Sequence, residues 1–160
     1  MATKLLRWTA GVTRMGLVAK HPDGANAAAL PALYQVIDLS STVLNLVKTK
    51  FPFLTTVVNK QEQGIANLRN TPISESQIAS LEPQLRQLVV KLQYVVSHPS
   101  LLDELSSSDD IKVIGELAAL RKILPANVNN FNAELSRIGI YSMVSQAVTH
   151  IDSIVSILGL

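Results

Sequence analysis

Apolar residues recur at helical spacing in every long stretch between about residue 27 and residue 158, and the prolines fall at the edges of those stretches. A period of about 3.6 residues is the mark of a helix that buries one face. Leu33, Val36, Ile37, Val43, Leu44 and Val47 predict a helix over about 27–49. Pro31 suits its first turn, where a missing N–H costs little. Phe51-Pro52-Phe53 ends that helix and starts a second, which runs to about Asn70 on Leu54, Val57, Val58, Ile65 and Leu68. Gly64 reads as its weak point, since glycine is a poor helix former.

Thr71-Pro72 breaks the chain, and Ser74 with Gln77 has the spacing of a capping box. A short helix to about Leu81 and a longer one over about 83–97 are expected, the latter on Leu85, Leu88, Val89, Leu92, Val95 and Val96. His98-Pro99 stops it. Ser106 to Asp110 reads as a linker that also caps the next helix, expected over about 111–124 with Ile114, Leu117, Ala118, Leu120 and Leu124 inward. Pro125 breaks that helix. A last helical region covers about 127–158, with Gly139 as a kink. No Asn-Gly or Asp-Gly pair joins alternating apolar runs, so no hairpin is expected. The expected fold is all-α: an irregular basic arm over 1–25, an antiparallel helical bundle over 26–105 and a C-terminal helical pair over 106–160.

Composition narrows the function. Hydrophobic residues make up 48% and charged residues 16% of the 160-residue chain, against about 25% charged in a typical soluble domain. A surface so poor in charge suggests a partner or a lipid surface. The longest apolar stretch, Ile138–Ile151, is interrupted by Ser142, Ser145, Gln146, Thr149 and His150, so no transmembrane helix is expected. The net charge of +2 is too small for a nucleic-acid interface. Lys4, Arg7, Arg14 and Lys20 make the first twenty-two residues basic and acid-free. That composition suits either an uncleaved organelle-targeting signal or a basic arm.

Chemical equipment is sparse. Without cysteine there is no thiolate metal site, disulfide or cysteine nucleophile. His21, His98 and His150 lack a second metal ligand three or four residues away, and read as surface or capping histidines. Asp103-Glu104 and Asp109-Asp110 sit where helices begin or end, which fits capping charge better than acid–base catalysis. Trp8, in the basic arm, is a candidate interface anchor, with a membrane-surface ring or ordinary packing as the alternatives. No catalytic residues, metal ligands, cofactor or small-molecule substrate are expected.

Residues 9–54 carry a pattern of short motifs: Thr9-Ala10-Gly11-Val12, Gly16-Leu17-Val18, His21-Pro22, Leu33-Tyr34 opening a helix to Lys48, and Pro52-Phe53 at its end. This order resembles the small helical accessory subunit of the peripheral arm of mitochondrial NADH:ubiquinone oxidoreductase (complex I). The sequence departs from that family in Thr13-Arg14-Met15, which looks like an insertion, in the direct Pro52-Phe53 neighbourhood, and in having Trp8 as its only tryptophan. Residues 100–160 have no counterpart in the family. The resemblance implies a cofactor-free structural subunit on the matrix side of the mitochondrial inner membrane. It would be peripheral to the membrane and packed on core subunits of the complex, helping the assembly and stability of the matrix arm. Its candidate interface residues are Trp8, Thr9, Gly11, Gly16, Leu17, Leu33, Tyr34, Pro52 and Phe53. A supernumerary subunit of a mitochondrial ATP synthase, or a protein that lays amphipathic helices on a lipid surface, remains as an alternative.

Overall fold

The computed structural model describes residues 29–160. The expected basic arm over 1–25, with Trp8, Thr9, Gly11, Gly16 and Leu17, lies outside the described residues, as does His21. The described residues form six α-helices and no strand: α1 (Ala29–Lys50), α2 (Thr55–Arg69), α3 (Glu75–Ile78), α4 (Glu82–Ser97), α5 (Ser107–Ile123) and α6 (Val128–Ile157). Short 3₁₀ turns at Pro52–Leu54, Ala79–Leu81 and Pro99–Glu104 precede α2, α4 and α5. The fold is all-α.

Helix α1 packs chiefly on α4 and α5 chiefly on α6, while α2 touches α1, α5 and α6. Polar contacts give the senses of the helices. Lys48 near the end of α1 bonds Asn59 near the start of α2, and Arg69 at the end of α2 pairs with Asp38 further back in α1, so these two run antiparallel. Helix α4 lies beside α1 in the same sense. The first N–H groups of α1, on Ala29 and Leu30, donate to the Glu75 carboxylate just before α4, at 3.1 and 2.8 Å. Lys50 at the other end of α1 pairs with Asp103, just after α4, at 3.2 Å. Glu75 therefore satisfies orphan donors of a helix distant in sequence and places negative charge at its positive end.

The period-based stripes of α1 and α4 are buried almost throughout, from Leu33 and Val36 to Leu92 and Val95. They join one hydrophobic cluster that extends from Ala29 to Leu158 and includes residues of α5 and α6. The Ser106–Asp110 stretch is less of a linker than expected. Ser106 is the N-cap, its side chain accepting from the Asp109 N–H at 3.2 Å and its own N–H donating to the Asp109 carboxylate at 3.0 Å, so α5 already begins at Ser107. Helix α1, rather than the Ile138–Ile151 stretch, is the one described helix long and apolar enough to cross a membrane by length and composition. Its apolar side is turned to the core of the bundle.

Gly64 is not a weak point but a point of close approach. A Cβ there would lie 2.9 Å from the Leu124 carbonyl carbon and closer still to its oxygen. Next to it, Asn67 Nδ2 donates to the carbonyls of Pro125 and Ala126 at 3.0 and 2.9 Å. Helix α2 thus clamps the corner between α5 and α6 through a missing side chain and a buried amide.

The kink expected at Gly139 is a full interruption. Its φ of 83° and ψ of 160° leave the helical region, and the positive φ is open to glycine at little cost. The break has a packing reason. Leu124 shares a small cavity with Val144 and Ala147, and Val113, Leu117 and Leu120 share another with Ile151, Ile154 and Val155. The second part of α6 therefore runs antiparallel to α5, and residues 128–138 must turn aside before it. That first part has a single buried side chain, Phe131.

One feature of the core costs stability. Gln61 is 0% exposed, and neither its Nε2 nor its Oε1 has a hydrogen-bond partner among the described residues. Leaving buried polar groups unpaired costs about 1–3 kcal/mol. Gln61→Met, which keeps the length and removes the amide, is expected to raise stability by about 1–3 kcal/mol. Urea denaturation should show a higher midpoint at unchanged slope; a lower midpoint would mean that the amide is satisfied in solution.

Candidate functional site

The described candidate interface residues do not share one surface. Leu33 is 2% exposed and lies inside the core. Its neighbour Tyr34 is half-buried, with the Arg69 guanidinium 5.6 Å from its ring centroid. The Leu33-Tyr34 pair is thus split between packing and surface. Pro52 and Phe53 stand at the far end of α1. At about 1.5 Å per helical residue, that end lies roughly 25 Å from Tyr34. Phe53 is 71% exposed and meets Phe51 edge-on, with ring centroids 6.1 Å apart.

The larger apolar exposure was not among the expected sites. Helix α5 buries Val113, Leu117, Leu120 and, just past its end, Leu124. Ile114 and Ala118, expected inward, lie outward with Gly115 and Ile111, which is 70% exposed. Both stripes have helical spacing, and Leu117 fits either. Periodicity alone therefore could not select the inner one. Val128 and Tyr141 of α6 are also exposed.

Ionisable side chains brace the helices rather than gather in a reactive cleft. His150 Nδ1 lies 2.9 Å from Glu116 Oε2, linking α6 to α5, and Lys91 pairs with Asp152 at 2.9 Å, linking α4 to α6. Neither pair leaves a local trace in the sequence, because their members are far apart along the chain. His98 is the C-cap of α4; its Nδ1 is 3.0 Å from the Tyr94 carbonyl, and its ring stacks on Tyr94 at 4.1 Å. Backbone and side-chain hydrogen bonds from Ser106 hold the Asp109 carboxyl below the usual carboxylate range. That favours the ionised form a helix N-terminus prefers and disfavours use as an acid. Among the described residues no group of three or more His, Asp or Glu could hold a metal ion.

Compared with known proteins, the chain matches no family model, no curated protein and no solved structure.

Proposed function

We propose that this chain is a non-catalytic structural subunit of a larger assembly, the matrix arm of mitochondrial complex I on the matrix side of the inner membrane, a reading that the motif resemblance over residues 9–54 supports. The observation that carries the structural role is the apolar surface left after the core is filled: Phe53 at 71%, Ile111 at 70% and Val128 at 54% exposure. The outer side of helix α5 carries Ile111 and Ile114 as well. Burying a large apolar side chain against a neighbour contributes about 1.5–3 kcal/mol, so these positions have much to gain from contact. Placement in complex I is supported by the sequence motifs alone.

Native electrophoresis of gently solubilised mitochondria tests both parts. The chain is expected to co-migrate with complex I, and a Phe53→Ser/Ile111→Ser variant that keeps its helicity is expected to be displaced to low mass. Co-migration with the ATP synthase would retain the structural role and reject the placement. A wild-type chain running free at its own mass would reject both.

A further inference from the structure

The described cations fall into two groups. Lys50, Arg69, Arg86, Lys91 and Arg137 each pair with a carboxylate, and Lys48 bonds Asn59. Lys112 is attracted to nearby Asp109. Lys60, Arg121 and Lys122 have no carboxylate partner among the described residues, and all three line one cleft of about 560 Å³ at the corner between α5 and α6. No Asp or Glu lines it.

The rest of the wall points the same way. Pro125 and Ala126 border the cleft, yet their carbonyl oxygens are taken by Asn67 Nδ2. Asn127 Oδ1 is taken by the Asn130 N–H at 3.0 Å, leaving the Asn127 amide nitrogen as a donor. Beside the cleft, the start of α6 leaves N–H groups and the end of α5 leaves carbonyls without a partner in their own helix. Three of the acceptors at the cleft are therefore occupied, and no carboxylate stands there to neutralise its three cations. The negative end of α5 and the positive end of α6 meet here and oppose each other, so the side chains set the sign of the potential. Arg121 and Lys122 have a local reason to be present, as cations in the last turn of α5. Lys60 has none: it comes from within another helix, α2, and still faces the same space.

We infer that this cleft binds a phosphate-bearing anion, with Lys60, Arg121 and Lys122 as its charged contacts. A guanidinium and two ammonium groups lining one cleft suit the oxygens of a phosphate. The volume exceeds that of a single phosphate and falls within the range of small-molecule sites. The phosphate could belong to a free metabolite or to a phospholipid headgroup. Exposed Val128, next to Asn127 in the chain, and Ala118 on the wall give an attached apolar group something to contact. The inference is independent of the subunit reading, because the isolated full chain suffices to test it.

Titrating ¹⁵N-labelled full-length protein with inorganic phosphate should give saturable amide shifts centred on Asn127–Asn130 and Arg121–Lys122. Flotation with phosphatidylcholine vesicles, with and without phosphatidic acid, identifies the source. Retention only on the acidic vesicles assigns a headgroup; phosphate binding without vesicle retention assigns a free ligand. Lys60→Gln/Arg121→Gln/Lys122→Gln, all at exposed positions, should weaken binding by at least roughly tenfold with helicity unchanged. Lys112→Gln, outside the cleft, should change nothing. No response to phosphate or to either vesicle would overturn the proposal, as would equal binding by the triple variant.

Discussion

Gly64→Ala is expected to destabilise the protein by about 3–5 kcal/mol, although alanine is the better helix former by about 1 kcal/mol. The added methyl would fall 2.9 Å from the Leu124 carbonyl carbon and still closer to the oxygen. A backbone carbonyl cannot rotate out of the way as a flexible side chain can. Leu124 is itself 1% exposed, so withdrawing it would open the core. The two carbonyls that follow are bonded to Asn67, and moving the corner would stretch those bonds as well. Overpacking alone costs about 1–3 kcal/mol, and the disturbed hydrogen bonds add to it. Urea denaturation decides the matter by sign. Helix propensity acting alone would raise the midpoint, and a raised midpoint would mean that α2 and the corner are not in contact.

Phe131→Ala should cost about 3–5 kcal/mol, the usual range for emptying a large aromatic site. Phe131 is 1% exposed and is the only buried side chain of residues 128–138. Leu135 and Ile138 of that segment pack against the core only in part. Hydrogen exchange should therefore show faster exchange for amides 131–138 than for amides 144–155 of the variant, because the second part keeps Met143, Val144, Ala147 and Val148. Phe53→Ala provides the contrast. At 71% exposure its loss should change stability by no more than about 0.5 kcal/mol. Equal effects at the two positions would contradict the packing described.

Much of this fold was legible in the sequence, for reasons that also mark where legibility ended. Helices α1 and α4 present one apolar stripe each, and prolines sit at their starts, so position and inward face both follow from spacing. The capping roles of Ser74 and Ser106 follow from local chemistry, a side chain answering a backbone group three residues away. Helix α5 defeated the same reasoning because it has two apolar stripes, and only its neighbours decide between them. Gly64 was misread because propensity is a property of one helix, whereas its use lies in what approaches from another. The cap supplied to α1 by Glu75 and the His150–Glu116 pair are tertiary facts with no local trace. The candidate interface residues fared similarly. A motif places Leu33 and Tyr34 side by side, but adjacent helical positions point about 100° apart, and one is sealed in the core while the other sits half-buried at its edge. The basic cleft needed three residues from two helices to be brought together, and net charge gave no hint of it.

The interruption at Gly139 has a mechanical consequence. A continuous helix is a stiff rod that passes a push at one end to the other; an extended glycine in its middle acts as a swivel. Force applied at Val128 would reach the anchored part of the last helix only through that swivel, so a neighbour gripping the forward part could tilt it without prising apart the interior behind it.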